Sequence, residues 1–270
     1  MTMTVNGFSP AGALVHATQP WEDAQLASLY DAFPFQADIP LYRRLAEAEG
    51  GRVLEVGCGT GRVLVPLVRG GCRVTGIDIS AHMLAHTRAK LDTEALEAEL
   101  IQADMRTFDL KSRDFDLAIV AVKSFAYLLD RADQLSCLEA IHAHLRPKGV
   151  LALDLVHPTP PWVDAPIGRL TQDLIATNAA GETVSRVESV MSVDLARQVR
   201  TIRSAYEVID ARGSVVQKRF VEWPYRWIYR FEAEHLLERA GFAIEALYGG
   251  YAGEAFTSDS PAMVFVSRCL

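Results

Sequence analysis

A glycine-rich segment with the sequence VLEVGCGTGR, at residues 53–62, has the most informative pattern of the chain. Its apolar start predicts a buried strand that ends in a tight turn and opens a helix. Backbone N–H groups at such a turn point at a bound ligand. Arg62 occupies the position where a dinucleotide fingerprint has its third glycine, and Glu55 precedes the turn. Both features disfavour a pyrophosphate ligand and favour a cationic one. The glycines of the turn are Gly57, Gly59 and Gly61.

Two aspartates follow the next two predicted strands. Asp78 lies 21 residues after the first glycine (78 − 57 = 21), and Asp104 follows 26 residues later (104 − 78 = 26). A carboxylate at the first position can accept both hydroxyl protons of a ribose, a role that dinucleotide-binding proteins share. The second can accept from the exocyclic amino group of adenine, with the Met105 backbone beside the ring. Either aspartate alone could be a loop or helix-start residue, but together with the glycine turn they indicate a nucleoside site.

The elements that must position these residues alternate between two patterns. Near-continuous apolar runs predict strands at residues 53–56, 74–77, 100–103, 117–122 and 150–156. Segments of helical period lie between them, at residues 61–68, 80–91 and 131–145. Pro147 and Gly149 are expected to stop the last of these helices. Strands that alternate with helices in this way predict an α/β fold, a Rossmann-like doubly wound seven-stranded sheet with helices on both faces.

The pattern then changes to alternation of period two, which predicts an inserted antiparallel β layer. Its strands are expected at residues 183–195, 199–209 and 214–223, with a hairpin turn at 210–213. The α/β pattern resumes with a helix at 231–240 and strands at 244–248 and 263–266. Two short helices are expected before the first strand, at 22–30 and 39–48. The resulting organisation is a helical lid at 1–50, a ligand-binding domain at 51–157 and 229–270, and an insertion at 158–228 on the substrate side.

Composition limits the class of protein. The 270 residues are 50% hydrophobic and 23% charged, which is ordinary for a globular protein, and the net charge of −7 argues against a general polyanion-binding surface. No apolar run approaches the roughly 18 residues of a membrane span, and the first twenty residues show no signal peptide pattern. The four cysteines form no C-x-x-C pair and are expected as free thiols in a reducing compartment. A cytoplasmic enzyme or binding module without a metal site is expected.

The glycine turn and the two aspartates, in this order after successive strands, resemble the class I S-adenosylmethionine-dependent methyltransferases. The resemblance implies that the turn binds the methionine portion, that Asp78 holds the ribose hydroxyls, and that Asp104 binds the adenine amino group. The residues assigned in this way to the cofactor S-adenosyl-L-methionine are Glu55, Gly57, Gly59, Gly61, Asp78, Ile79, Met83, Asp104 and Met105. Residues 26–31 and 38–42 are similar to segments of small-molecule methyltransferases. Residues 124–128 are similar to amino-sugar N-methyltransferases, and residues 247–261 resemble a large bacterial branch.

Methyl transfer from a sulfonium is an in-line displacement, so the main task of the protein is to hold that geometry. The acceptor is expected beyond the carboxyl ends of the strands, above residues 123–127 and 157–161 and under the inserted layer. His157 is the best-placed histidine for a general base, the alternative being a polar turn residue before Pro158. Tyr30 and Tyr127 are expected to close over the sulfonium or to orient an amine, the alternative being partly buried structural tyrosines.

The segment EWPYRWIYR at residues 222–230 is the most aromatic part of the chain. It is interpreted either as a cage for an aromatic or cationic acceptor or as the hinge where the insertion returns to the sheet. The histidines of the predicted helices, at positions 82, 86, 142 and 144, are expected at the surface. The residues predicted to bind the substrate are Lys123, Trp223, Tyr225, Arg226, Tyr229 and Tyr251.

The predicted function is therefore transfer of a methyl group to a small molecule, an aromatic or amine-bearing metabolite, with nitrogen, oxygen and carbon acceptors all open. One alternative is an RNA or protein methyltransferase, although residues 122–125 lack the Asn/Asp-Pro-Pro-aromatic motif of enzymes that methylate planar amino groups. Others are a non-catalytic regulatory partner that binds S-adenosylmethionine and a NAD-binding protein. Neither nucleic acid nor a membrane is expected as a partner, and the antiparallel layer offers an edge for a homodimer.

Overall fold

The computed structural model describes residues 21, 23–33, 35–168, 170–178 and 180–270, and at residues 171–174 only the backbone. Glu22 and the first twenty residues, on which predictions were made above, lie outside the described part. The helices are α1 (Ala24–Tyr30), α2 (Ile39–Glu49), α3 (Leu64–Arg69), α4 (Ala81–Thr93), α5 (Arg131–His144), α6 (Pro160–Val163) and α7 (Arg230–Arg239). The strands are β1 (Arg52–Val56), β2 (Arg73–Asp78), β3 (Glu99–Gln102), β4 (Phe115–Val120), β5 (Leu145–Val156), β6 (Leu170–Thr177), β7 (Thr183–Asp194), β8 (Val199–Ile209), β9 (Val215–Arg226), β10 (Phe242–Tyr248) and β11 (Ala262–Cys269).

Seven strands form the main sheet, in the order β3-β2-β1-β4-β5-β11-β10. Only β11 runs against its neighbours β5 and β10, and the other pairs are parallel. The chain moves outward from β1 to β2 and β3, then returns to place β4 on the other side of β1. Such a reversal leaves a crevice at the carboxyl ends of β1 and β4, where ligands of open α/β sheets bind. The predicted α/β fold class is confirmed.

Side chains on both faces of this sheet are buried, which explains the continuous apolar runs of its strands. In β1, Leu54 and Val56 pack with α5 and α7, whereas Val53 packs with α2, α3 and α4. Glu55 follows the same alternation and therefore lies on the side of Val53, under α3, at 2% exposure. The strand that precedes the glycine turn thus carries one carboxyl group into an apolar layer.

The remaining strands form a separate antiparallel sheet in the order β6-β7-β8-β9. This sheet packs on the N-terminal helix α1, where Leu26 and Leu29 are buried against Val184, Tyr206 and Trp223. β6 was not predicted from the sequence; it pairs with β7 through an irregular register. The other three strands of the predicted layer are present.

Two details differ from the sequence predictions. The helix α5 ends at His144, and β5 begins at once, so that Pro147 and Gly149 lie in a segment of β5 that bulges out opposite Asp116. His144 is buried rather than exposed, because its Nε2 accepts from the Leu110 N–H (2.8 Å) and its Nδ1 donates to the Ala140 carbonyl (2.7 Å). This histidine ties the loop before β4 to the end of α5.

Gly76, in the middle of β2, offers a test of how tightly α3 packs on the sheet. A Cβ atom at this position would lie 2.5 Å from Leu64 Cδ1 and 2.9 Å from Cys58 Sγ. We expect Gly76→Ala to destabilise the protein by about 1–3 kcal/mol in urea unfolding, the usual cost of overpacking a core. Gly213→Ala, in the open β8–β9 hairpin at φ +82°, is the comparison and should cost about 1 kcal/mol of backbone strain alone. An unchanged unfolding midpoint for Gly76→Ala would contradict this account.

Candidate active site

A cavity of about 540 Å³ opens at the crevice between the carboxyl ends of β1 and β4. Seven of the residues assigned above to the cofactor line it: Gly57, Gly59, Asp78, Ile79, Met83, Asp104 and Met105. Trp21, Tyr30, Tyr127 and Trp223 line it from the side of the N-terminal helix and the antiparallel sheet. The fold therefore brings the glycine turn, both aspartates and two predicted acceptor tyrosines to one place.

The glycine turn is shaped by close contacts that side chains would prevent. Gly57 has φ +73°, and a Cβ atom there would lie 3.3 Å from the Ser124 side chain after β4. At Gly61 (φ +79°) a Cβ atom would lie 2.7 Å from Thr87 Cγ2 of α4. The Thr87 hydroxyl also donates to the Gly59 carbonyl (2.7 Å). Glycine is thus required where the turn passes between β4 and α4.

Asp78 ends β2 and holds the turn from the opposite side. Its two carboxylate oxygens accept from the backbone N–H groups of Gly59 and Ser80, each at 2.8 Å. Burial raises the pKa of Asp78, and these N–H donors counteract the rise because they stabilise the ionised form. Ser80 in turn caps α4 by accepting from the Met83 N–H. The carboxylate is therefore fixed at the cavity wall.

Asp104 is held by an arginine that the sequence analysis did not single out. Arg106 contacts it through Nε and Nη2, with Nη2 2.5 Å from Oδ2, and reaches Asp133 of α5 with Nη1 (3.1 Å). These contacts lower the pKa of Asp104 and keep it ionised. All three residues line the cavity. In the sequence, only the short separation of Asp104 and Arg106 pointed to this ion-pair cluster. Asp133 lies 27 positions after Arg106, so its contact could not be predicted from neighbouring residues.

Glu55 and Arg62 lie behind the turn. Glu55 is buried, and its Oε2 has no hydrogen-bond partner among the described residues. Burial raises its pKa from 4.5 to about 8, although the nearby Arg62 acts in the opposite direction. Arg62 donates to both oxygens of the fully buried Asp38, at 2.5 and 2.7 Å. The arginine that replaces the third fingerprint glycine thus anchors the start of α2 to the turn.

A second anchor joins α1 to the same turn. Asp31, directly after α1, accepts from the Thr60 hydroxyl (2.5 Å) and lies 2.8 Å from Lys90 Nζ of α4. The Lys90 ammonium also donates to the Thr60 carbonyl (2.8 Å). Because Tyr30 precedes Asp31, this contact fixes the tyrosine at the mouth of the cavity.

An aromatic cluster of Trp21, Tyr127, Trp223 and Tyr225 closes the cavity toward the antiparallel sheet. The Tyr127 and Tyr225 hydroxyls are 3.0 Å apart. The Tyr127 ring packs edge-on against Trp21 and at a tilt against Trp223. Burial raises the pKa of both tyrosines well above 10, so both stay neutral. The cluster therefore offers aromatic faces and a neutral hydroxyl pair.

A strained turn carries the chain from β4 to this cluster. Val122 and Lys123 both lie in the left-handed region, at φ +49° and +63°, which residues with a Cβ atom rarely adopt. They lead directly into the short 3-10 helix Ser124–Tyr127, at whose end Tyr127 enters the cluster. Backbone strain of this kind is common where a fold must place a functional side chain.

Six of the predicted catalytic and substrate-binding residues are not among the residues that line the cavity. The His157 Nδ1 lies 2.7 Å from the Ser260 carbonyl oxygen. Arg226 is engaged by Glu232 of α7 and by Gln134. Tyr229 is 48% exposed next to the start of α7, and Tyr251 donates to the buried Asp154 (2.6 Å). The other two are Lys123 and Tyr225.

Lys123 and Tyr225 are the sequence neighbours of the lining residues Ser124 and Pro224 but do not line the cavity themselves. The Lys123 ammonium stands 5.9 Å from the centre of the Phe35 ring, and Phe35 packs edge-on against Tyr251. Tyr225 reaches the cavity through its contact with Tyr127. The aromatic segment at residues 222–230 is therefore divided, with its first half at the cavity and its second half at the return to α7.

Neither a metal-binding cluster nor a membrane-spanning helix is found in the described part of the chain. No group of three or more histidine, cysteine, aspartate or glutamate residues there could hold a metal ion. None of the described helices is long and apolar enough to cross a membrane. The four cysteines are free thiols.

Comparison with known proteins agrees with this geometry. A family model described as a methyltransferase domain matches residues 53–149. Trans-aconitate 2-methyltransferase from Azoarcus sp. (strain BH72) is 31% identical over 209 residues, which cover 73% of this chain and 77% of that protein. The putative methyltransferase YqeM of Bacillus subtilis (strain 168) is also 31% identical, over 132 residues that span about half of each protein, 48% of this chain and 53% of the relative.

Among solved structures, the sugar N-methyltransferase KedS8 from Streptoalloteichus sp. ATCC 53650 is similar over 100% of this chain and 99% of its own, with a TM-score of 0.71 and 26% identity. The fold and the site define an enzyme that transfers methyl groups. The chain belongs to the class I S-adenosylmethionine-dependent methyltransferases, in their small-molecule branch. Its cofactor is S-adenosylmethionine.

Proposed function

We propose that this enzyme methylates an amine-bearing small molecule that lies against Tyr30, Tyr127 and Trp223. The observation that carries the proposal is the aromatic wall that these residues form at the cavity; the described lining also contains neither histidine nor cysteine, and burial keeps Tyr127 neutral. An amine nitrogen attacks through its own lone pair and sheds its proton afterwards, whereas an alcohol must be deprotonated as it reacts. An aromatic wall without a histidine base therefore favours an amine acceptor over an alcohol.

The described residues fit the cofactor. Glu55 lies behind the turn and not in the described cavity lining, but its buried Oε2 has no hydrogen-bond partner among the described residues and would take the cationic amino group of the methionine portion. Asp78 would hold the ribose hydroxyls, and Ile79 and Met83 would lie beside the adenine. When bound, S-adenosylmethionine supplies a methyl group on a positively charged sulfur. The glycine turn lets the backbone approach it closely.

The aromatic cluster would bind and orient the acceptor. Tyrosine and tryptophan faces attract cations, so they can stabilise the positive charge of a methylated ammonium product. They also exclude water, which lowers the pKa of an amine and favours its neutral, nucleophilic form. The hydroxyls of Tyr127 and Tyr225 can orient the lone pair of the acceptor amine. Because both hydroxyls are neutral, they position the amine and do not act as bases.

The names of several relatives support an amine acceptor. A dTDP-3-amino-3,4,6-trideoxy-alpha-D-glucopyranose N,N-dimethyltransferase from Streptomyces venezuelae is 27% identical over 84% of this chain and 90% of its own. KedS8 is itself a sugar N-methyltransferase. Methylation of RNA, of a protein or of a carboxylate would be a different result of the acceptor test. The homodimer stays a prediction. A panel of amino sugars and simple amines, compared with their hydroxyl and carboxyl analogues, tests the proposal through product masses; methylation of the analogues alone would refute it.

Tyr127→Phe tests the role of the hydroxyl pair. We expect the turnover number with an amine acceptor to fall about 10- to 100-fold, because the variant keeps the ring but loses the hydroxyl that fixes Tyr225. Affinity for S-adenosylhomocysteine should change less than about twofold, since the hydroxyl orients the acceptor. Steady-state kinetics and calorimetry separate the two effects. Tyr248→Phe, outside the described cavity lining, is the matched control, and an unchanged turnover number for Tyr127→Phe would remove the hydroxyl from the acceptor site.

A further inference from the structure

A second cavity, of about 300 Å³, lies against the antiparallel sheet. Its lining includes Trp162 from α6 and Arg200 and Ile202 from β8. Arg200 is the cross-strand partner of Tyr225, and Ile202 is the partner of Trp223, which lines the first cavity. Directly paired residues of neighbouring strands lie on the same face of a sheet. The second cavity is therefore next to the aromatic cluster, on the sheet face that covers the acceptor.

Arg200 is a buried cation that forms no ion pair with a carboxylate of the described residues. It is 8% exposed and lines the second cavity. One Nη donates to the Trp162 carbonyl (2.7 Å), and the guanidinium lies 4.3 Å from the centre of the Trp162 ring. The Nε is buried and has no hydrogen-bond partner in the described part of the chain. A buried cation is costly unless an anion compensates it.

The one carboxyl group in the described lining is already engaged. Glu188 accepts from the Ser204 hydroxyl (2.8 Å) and lies 3.7 Å from Arg186 Nε. Burial lowers the pKa of Arg200, and the charge of Glu188 only partly offsets this effect. An anion that enters the cavity would complete the compensation. Trp162 adds a flat apolar wall at the same point.

We propose that this second cavity binds an anionic group, a phosphate or a carboxylate, carried by the same acceptor whose amine is methylated in the first cavity. The inference rests on the proposed function, because it places the far end of that acceptor. Arg200 would donate to the anion, and Trp162 would pack against the adjoining part of the molecule. The enzyme would then recognise its acceptor at two points on one sheet face.

The test uses the full chain saturated with S-adenosylhomocysteine and calorimetric titration with two probes. Pyrophosphate represents a phosphate source and citrate a carboxylate source, with potassium chloride matched for ionic strength. We expect one probe to bind and Arg200→Met to weaken it at least tenfold. Arg197→Met, at an exposed position three residues away, should bind the probe as the wild type does. The probe that binds identifies the source of the anion.

Folding and function are separated by two further measurements. Arg200→Met removes a buried charge that is only partly compensated, so its melting temperature without probe should be equal to or above that of the wild type, while the stabilisation by the probe is lost. With an amine acceptor that carries the anion, Arg200→Met should raise KM about tenfold and leave kcat within about twofold. If neither probe binds the wild type, or Arg200→Met binds as tightly, the subsite is refuted. If wild-type protein transfers no methyl group to any amine, the proposed function fails instead.

Discussion

Asp78→Ala is expected to weaken the binding of S-adenosylhomocysteine by about 100-fold while the protein stays folded. Each charge-assisted hydrogen bond from a ribose hydroxyl contributes about 1.5 kcal/mol or more, and two of them correspond to a factor of about 100. The variant also frees the Gly59 and Ser80 N–H groups that now donate to the carboxylate. Isothermal titration measures the loss, and circular dichroism checks the fold.

Two variants make this result specific. Asp78→Asn keeps one oxygen acceptor and the size of the side chain, so its affinity should lie between those of wild type and Asp78→Ala. Asp92→Ala removes an exposed carboxylate from α4 and should leave binding unchanged. Wild-type affinity in a folded Asp78→Ala protein would show that the ribose binds elsewhere.

The main sheet could be predicted from the sequence because of the chemistry of buried parallel strands. Both faces of β1, β4 and β5 are covered, so their residues are apolar without alternation. Each of these strands can therefore be located from a short apolar run in the sequence. The strand-to-turn sites after β1 and β2 follow from the same pattern, since parallel strands end at one edge. The antiparallel strands β7, β8 and β9 were visible through their period of two. β6, which pairs with a register shift, lacks such regular alternation.

The acceptor side was harder to predict because its contacts join distant parts of the chain. Tyr127 and Tyr225 are 98 positions apart, and their hydroxyl contact depends on how the antiparallel sheet returns to the main one. Arg226 is next to Tyr225 but turns to Glu232 and Gln134, since neighbouring residues of a strand point to opposite faces. Residue type indicated an aromatic segment, but only the strand register determines which of its members reach the cavity.

The anion site proposed at Arg200 illustrates the same limit. In the sequence this arginine is one of several in β8 and β9, and nothing nearby distinguishes it from Arg203, which pairs with Glu222. The burial of Arg200 and its contact with the Trp162 ring appear only in the folded protein. The pattern of charges in a sequence predicts which face of a strand is polar. The free-energy cost of burying an unpaired charge depends on how the folded residues pack around it.

Glu55→Gln is expected to abolish most of the pH dependence of cofactor binding. Burial raises the pKa of Glu55 to about 8, so at pH 6 the carboxyl is protonated in the free enzyme. A cationic amino group beside it requires the ionised form, and the observed affinity should therefore rise about 50-fold between pH 6 and pH 8. Titration at pH 7 in buffers of different ionisation enthalpy should show release of about one proton per S-adenosylhomocysteine bound. The Gln variant should bind weakly at both pH values and release none.

Glu55 should also affect the stability of the free enzyme, but with the opposite pH dependence. The affinity for the cofactor rises with pH, whereas the free energy of unfolding should fall. Between pH 4.5 and about 8 the folded state keeps the proton of Glu55 and the unfolded state has lost it, so stability falls as pH rises. The rise in pKa corresponds to up to about 5 kcal/mol at 1.36 kcal/mol per unit, which Glu55→Gln should recover above pH 8.

Asp78 and Asp154, whose pKa values burial also raises, contribute equally in both proteins. Urea unfolding at pH 5, 7 and 9 measures the difference, with exposed Glu47→Gln as control. Parallel curves for wild type and Glu55→Gln would mean that this carboxyl is ionised in the free enzyme, and the binding of a cationic cofactor would then not depend on its deprotonation.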